Sequence, residues 1–168
     1  HGLQVRNGEM NTVSCGGASG VADTFASALW AVDALFEMAR VGTDGVNVHT
    51  YPDVADSLFS VTRVKSGWRV AVKPEYYGLL MFAQAAPAGS RLLGVSAAGT
   101  PSTLKTWATR APDGRIRVVL INKDTTHAHT VRVAAAGAAR SASLERVLAP
   151  SVRAPSGVTL GGQSFGVN

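Results

Sequence analysis

The fold is decided by the stretch VADTFASALWAVDALFEMA, residues 21–39, in which apolar side chains recur at the spacing of one helical face. A short strand-like run, Leu3–Arg6, precedes this helix, and a second one, Gly45–His49, follows it. The predicted order is strand, helix, strand, which places the two strands side by side and parallel. Ser19 is predicted to cap the helix, and Gly42 is predicted to end it.

A hairpin and a second helix are predicted after this unit. Ser60–Val64 and Trp68–Val72 have the composition of two short strands, and Lys65–Gly67 supplies the turn between them. Pro74 then opens a helix from Glu75 to about Ala86, because proline fits the first turn of a helix.

The pattern changes at Ala88, where short alternating runs are separated by Gly, Pro and Asp. The predicted strands are Arg91–Ala97, Leu104–Arg110, Arg115–Asn122, Thr130–Ala135 and Ala142–Leu148. Pro112-Asp113-Gly114 forms a hairpin turn between two of them, since Asp-Gly readily adopts positive φ angles. Several short strands at this spacing are typical of an antiparallel β-sandwich.

These patterns predict two parts, of α/β and all-β class. A lone βαβα unit cannot cover both faces of a parallel sheet or both of its edges. We therefore expect residues 1–86 to be the C-terminal portion of a (β/α)₈ barrel whose N-terminal portion is absent from this chain. Residues 87–168 are expected to form a β-sandwich accessory domain. The apolar helix at 21–39 is expected to leave a hydrophobic face uncovered unless a partner hides it.

Composition excludes several classes of protein. The chain has 168 residues, 46% of them hydrophobic, and no apolar run of the roughly 20 residues that a membrane-spanning helix needs. Cys15 is the only cysteine, so an internal disulfide is impossible. The four histidines lack the spacing of a helical metal site, and we expect no metal or cofactor.

The net charge of +5 is concentrated in the second half of the chain. Ten Lys and Arg residues follow Pro87, against three acidic residues. Arg115 and Arg117 alternate along a predicted strand, and no aromatic residue interleaves with them. A solvated sheet face is therefore favoured over nucleic-acid binding, and attraction to acidic polysaccharide stays as a third interpretation.

Candidate chemistry lies where the two predicted barrel strands end, because catalytic groups of such barrels sit at the carboxyl ends of the strands. Glu9 and His49 occupy these positions. The segment EMNTVSCGG, residues 9–17, resembles glycoside hydrolase family 79, the β-glucuronidase and heparanase type. Residues 20–30, 45–49, 76–83 and 118–124 resemble further segments of the same family, in the same order. The main departure is Thr12, where the family usually has Ser.

The resemblance implies a retaining mechanism with Glu9 as the nucleophile and a glucuronide-containing saccharide or glycoside as the substrate. The family's acid/base lies in an Asn-Glu pair on an earlier strand, and this chain contains no such dipeptide. The acid/base is therefore expected in the absent N-terminal portion, which leaves the isolated chain inactive. The other ten carboxylates are interpreted as surface, turn, loop or isolated charges: Asp23, Asp33, Glu37, Asp44, Asp53, Asp56, Glu75, Asp113, Asp124 and Glu145.

Five further residues are candidates for substrate binding. Gly16 and Gly17 offer backbone N–H donors to a uronic carboxylate, as the resemblance implies, or they form a flexible lead into the helix. Asn11 orients the nucleophile or a sugar hydroxyl, or it forms an Asx-turn. His49 and Tyr51 hydrogen-bond the sugar, or they pack at the end of the barrel.

Two rival functions stay open at this point. The chain is either a non-catalytic carbohydrate-binding or structural β-sandwich module, or a half-chain that assembles with an N-terminal partner. Neither a nucleic acid nor a membrane is expected as a partner. Localisation stays undetermined, with a secreted or periplasmic parent favoured.

Overall fold

The computed structural model describes residues 2–134 and 141–165, which contain two helices and nine strands in four small sheets. The elements in chain order are β1 Arg6–Met10, α1 Phe25–Arg40, β2 Gly45–Val48, β3 Phe59–Val64, β4 Gly67–Val72, α2 Pro74–Ala85, β5 Arg91–Leu92, β6 Leu104–Arg110, β7 Ile116–Asn122, β8 Val147–Leu148 and β9 Thr159–Leu160. The sheets are the parallel pair β1–β2 and the antiparallel groups β3–β4, β5–β6–β7 and β8–β9.

β1 and β2 pair in parallel, with Arg6 opposite Gly45 and Met10 opposite Val48. This agrees with the parallel pairing predicted for the strand, helix, strand order. The first strand begins later than predicted, however, and it continues to Met10. Glu9 consequently lies within β1, whereas the sequence placed it in a turn after the strand.

The start of α1 differs from the prediction. Ser19 does not cap the helix, because its hydroxyl donates a hydrogen bond to the Asp23 carboxylate, 3.2 Å away. Residues 18–24 form turns, and the regular helix begins at Phe25. The helix ends as predicted, with Gly42 at a φ of 81° directly after the C-cap residue Val41.

The first turn of α1 is capped by a distant part of the chain. The N–H of Phe25 donates to the carbonyl of Ala154 at 2.9 Å, and the N–H of Ala26 donates to the carbonyl of Val152 at 2.9 Å. Two donors that a helix start leaves without partners are thereby satisfied. This contact joins the α/β half of the chain to its C-terminal segment.

The main core lies between α1, α2 and the three-stranded sheet. The Phe36 ring is fully buried, stacks 5.3 Å from the Trp107 ring and meets the Phe82 ring edge-on at 4.9 Å. The other buried members of this core are Val32, Ala85, Val119 and Ile121. The expectation that α1 leaves an uncovered hydrophobic face is wrong, because α2 and β6–β7 cover that face.

The close crossing of the two helices depends on Gly78. A Cβ added at Gly78 would collide with the carbonyl oxygen of Ala28 in α1. We expect Gly78→Ala to lower the free energy of unfolding by about 2 kcal/mol, although alanine is the better helix former, because backbone atoms cannot yield as a flexible side chain does. Urea unfolding measures this. Gly94→Ala is the control, since nothing lies within 4 Å of its added Cβ, and equal stability of the two variants would contradict the prediction.

The C-terminal half forms shorter strands than predicted. β6 and β7 are each seven residues long and form a hairpin whose turn contains Gly114, in agreement with the predicted turn. β5 and β8 are each only two residues long, and residues 130–134 form no strand, while Ala135 lies outside the described residues. The complete barrel and the complete sandwich stay predictions. Within residues 2–134 and 141–165, no helix is long and apolar enough to cross a membrane.

Candidate active site

Glu9 lies in a β-bulge at the carboxyl end of β1. Three residue steps from Asn7 to Met10 face only two steps from Val46 to Val48, so β1 contains one extra residue. The N–H of Glu9 is directed to the side-chain oxygen of Asn7, at 3.0 Å. Bulges re-aim side chains and are frequent beside active sites. Here the Glu9 side chain is exposed and lies at the end of the strand.

Asn11 ties the carboxyl ends of β1 and β2 together. Its side-chain N–H groups donate to the carbonyl of His49 at 2.6 Å and to the carbonyl of Asp56 at 3.1 Å. Its side-chain oxygen accepts the N–H of Thr12. The last of these bonds goes to the next residue and is therefore not the bond of an Asx-turn, which reaches the N–H two residues on. The two long-range bonds were not predicted. The Asn11 side chain thus joins the end of β1 to the end of β2 and to the loop that contains Asp56.

Gly16 and Gly17 lie in close contact with the backbone of Asp56. The carbonyl of Gly16 accepts the N–H of Asp56 at 3.3 Å. Gly17 has a φ of 82°, and an added Cβ would lie 2.7 Å from the backbone nitrogen of Asp56. Both the positive φ and the close approach require glycine. The pair therefore has a structural reason in this fold, beside the substrate contact that the resemblance implies.

A buried carboxyl pair, Asp56 and Glu75, lies beneath these loops. Each residue is only 1% exposed. Burial and, as a smaller second cause, the negative charge of Asp56 together raise the pKa of Glu75 to about 8. The side-chain amide of Asn11 acts in the opposite direction and lowers this pKa. Glu75 is therefore mainly protonated at neutral pH.

Further polar groups surround the buried carboxyl pair. The Lys73 ammonium donates to the carbonyls of Val54 and Ala55, at 2.7 and 3.3 Å, and fixes the loop that leads to Asp56. The buried hydroxyl oxygen of Thr12 has no hydrogen-bond partner among the described residues.

His49 and Tyr51 are placed differently. The N–H of His49 extends the parallel ladder by donating to the carbonyl of Met10 at 2.9 Å, and its Nδ1 atom lies 4.0 Å from the Asp56 carboxylate. His49 thus contacts the same loops as Asn11. Tyr51 is 64% exposed and lies outside this cluster. The structure brings together Asn11, His49 and the two glycines, but not Tyr51.

Sequence reasoning missed Asp56 and Glu75, which it interpreted as a loop residue and an isolated charge. Their burial corrects both interpretations. An acidic residue directly after a helix-opening proline is usually a surface residue that interacts with the helix dipole, so the sequence carried no signal of burial. Within the described ranges, no group of three or more His, Cys, Asp and Glu residues is placed to hold a metal ion.

The chain matches no protein-family model and no curated protein.

Proposed function

We propose that this chain is the C-terminal part of a retaining glycosidase that resembles glycoside hydrolase family 79 and cleaves β-glucuronides. In this proposal the Glu9 carboxylate attacks the anomeric carbon and forms a covalent glycosyl intermediate, which water then hydrolyses. A second carboxyl group, contributed from outside this chain, protonates the leaving oxygen and later activates the water. In retaining enzymes the two carboxyl groups are roughly 5–5.5 Å apart.

The bulge at Glu9 is the observation that carries the proposal. A carboxylate in a regular strand alternates with its neighbours between the two faces of the sheet. The extra residue in β1 breaks that alternation at Glu9, at the end of the strand where barrel enzymes place catalytic groups. The carboxylate is exposed to solvent and therefore accessible to a ligand.

The loops beside Glu9 are held rigid by the polar core beneath them. Asn11, two residues after Glu9, is fixed to the end of β2 and to the Asp56 loop. A nucleophile must stay in line with the anomeric carbon, and supporting hydrogen bonds of this kind limit its movement. The two glycines follow on the same stretch of chain, and Gly17 lies against Asp56.

The unpaired edges of the β1–β2 sheet and the exposed apolar residues beside it support the proposal that further strands complete this sheet. Among the described strands, β1 and β2 pair only with each other, and parallel sheets are usually covered on both faces. Leu3 and Val5, just before β1, are 82% and 61% exposed. Additional barrel strands along these edges would cover such residues, in agreement with the proposed N-terminal portion.

The test is covalent labelling of the complete enzyme, meaning the polypeptide or assembly that carries both this chain and the acid. A 2-fluoro-glucuronosyl fluoride should inactivate it, because the fluorine at C2 slows both formation and hydrolysis of the glycosyl intermediate, while the good fluoride leaving group keeps formation fast enough for the intermediate to accumulate. Peptide mass spectrometry should find the sugar on the peptide that contains Glu9. The Glu9→Gln enzyme should take up no label, and a label on another carboxylate would refute Glu9 as the nucleophile.

A further inference from the structure

The hairpin formed by β3 and β4 has an exposed apolar and basic face. Directly opposite residues of an antiparallel pair share one face, so Phe59, Val61 and Arg63 of β3 lie on the same side as Val72, Val70 and Trp68 of β4. Trp68 is 66% exposed, and Val61 and Val70 are 42% and 45% exposed. We refer to the outer part of this surface, formed by Val61, Arg63, Trp68 and Val70, as the Trp68 face.

The base of the hairpin packs against α2, and this contact fixes the position of the Trp68 face. The Phe59 ring packs on the Tyr76 ring of α2 at 5.2 Å. The N–H of Lys73, after β4, donates to the carbonyl of Leu58, before β3, at 2.9 Å. Towards the tip, the Arg63 guanidinium lies 5.9 Å from the centre of the Trp68 ring. This cation–π contact holds a positive charge beside a flat aromatic surface.

The charge of the hairpin is entirely positive. Residues 59–73 contain four basic residues, Arg63, Lys65, Arg69 and Lys73, and no acidic residue. The Arg63 side chain has an ion pair with none of the described acidic residues, and its guanidinium is exposed. Such a surface is complementary to an anionic ligand.

We propose that the Trp68 face binds an anionic saccharide chain, with one pyranose ring packed on Trp68 and its carboxylate or sulfate group bound by Arg63. The C–H groups of a pyranose form an apolar surface that fits an aromatic ring flanked by valines. A guanidinium binds the planar or tetrahedral anion beside that ring through charge-assisted hydrogen bonds. The choice of a saccharide as the ligand rests on the proposed function. Binding to the Trp68 face does not require that the protein be catalytically active.

The hairpin belongs to the same connecting segment as the loops of the candidate active site. The hairpin lies in the connection from the end of β2 to the start of α2, and the end of β2 is joined to the Glu9 loop through Asn11. A saccharide chain that extends beyond the reacting sugar would reach such a surface. The Trp68 face therefore adds binding energy at a distance from the reacting bond.

The arrangement favours a saccharide over an anionic membrane. A hairpin that inserts into a membrane carries its apolar residues at the tip, whereas the tip here is Lys65-Ser66-Gly67. Trp68 is the only aromatic residue of the outer hairpin, and its neighbours on the Trp68 face, Val61 and Val70, lie away from the tip. One aromatic ring accommodates one sugar unit.

The test is the binding of defined polymers to the complete protein, followed by quenching of tryptophan fluorescence and by calorimetry. Oligogalacturonate carries only carboxylates, dextran sulfate carries only sulfates, and dextran is neutral. At least one anionic polymer should bind and dextran should not, and comparison of the first two identifies the preferred anion. Trp68→Ala and Arg63→Gln should each weaken binding about tenfold.

Arg69→Gln is the matched control, because Arg69 lies on the same hairpin but on the opposite face, across from Thr62. It removes the same charge and should change the dissociation constant less than twofold. Equal losses of affinity in Arg63→Gln and Arg69→Gln would show that the polymer is bound by non-specific charge attraction, and this would overturn the proposal. Absence of binding to both anionic polymers would also overturn it, as would Trp68-dependent binding to phosphatidylserine vesicles. Unchanged thermal unfolding of all variants excludes misfolding. If the native protein binds neither anionic polymer but is labelled normally at Glu9, this inference is refuted and the proposed function is left intact.

Discussion

The Glu9→Gln variant of the complete enzyme is expected to lose at least about 10³-fold in kcat on an aryl β-glucuronide. The carboxamide has nearly the shape of the carboxylate but cannot attack the anomeric carbon. Because the Glu9 side chain is exposed and lies in a bulge, its replacement should leave the thermal unfolding of the protein unchanged. Release of the aryl alcohol, measured by absorbance, gives the rate.

A second variant separates a nucleophile from a merely structural carboxylate. Glu9→Ala leaves a space in which azide can attack the sugar directly, so azide should restore activity and yield the α-glycosyl azide. Single displacement inverts the configuration, whereas the native reaction retains it. Glu145→Gln, which neutralises another exposed carboxylate of this chain, should keep full activity. Full activity in Glu9→Gln, or failure of azide to restore Glu9→Ala, would contradict the assigned role.

The Glu75→Gln variant is expected to remove most of the dependence of stability on pH between about pH 5 and pH 8. The pKa of Glu75 is about 8 in the folded protein against an ordinary value of 4.5. Between these values the folded protein holds a proton that the unfolded chain has released, so stability falls as the pH rises. This loss of stability is absent below the ordinary pKa of 4.5 and is complete above the pKa of Glu75 in the folded protein. Between about pH 5 and pH 8 the loss amounts to about 3 to 4 kcal/mol.

Urea unfolding at a series of pH values measures this dependence. The native protein should lose stability towards pH 8, whereas Glu75→Gln should be nearly constant and the more stable of the two at that pH. Glu37→Gln is the control with the opposite sign, because hydrogen bonds from Lys105 and Arg40 lower the pKa of Glu37. The stability that Glu37 contributes is lost only on acidification below its ordinary pKa. Parallel curves for native protein and Glu75→Gln would show that Glu75 is not buried as a neutral acid.

The sequence was most informative where local patterns determine structure. The 3.6-residue period of α1 and proline at the start of α2 set the helices, and the alternation around Asp113-Gly114 predicted the β6–β7 hairpin. Apolar side chains recur at regular intervals along such helices and strands, so a single sequence is enough to recognise these elements. Glu9, Asn11 and His49 were predicted as site residues from their positions at strand ends and from the family resemblance, and their roles stay predictions.

Interactions between distant parts of the chain were not predictable. Ser19 satisfied the usual rule for a helix cap, yet carbonyls of Val152 and Ala154 supply the cap in the folded protein. The bulge that holds Glu9 depends on the register against β2, which one strand alone does not reveal. The burial of the carboxyl pair has the same origin, since it depends on which loops are folded over it.

The cap of α1 also limits how this chain can be divided by genetic means. A truncated chain that stops at residue 86 would follow the boundary of the predicted domains, but it would lack both carbonyls that receive the first N–H groups of α1. Truncation there would also separate Phe36 from Trp107 in the main core. The β-rich half is therefore no removable appendage, and exchange of that half between related proteins would have to preserve the segment around Val152 and Ala154.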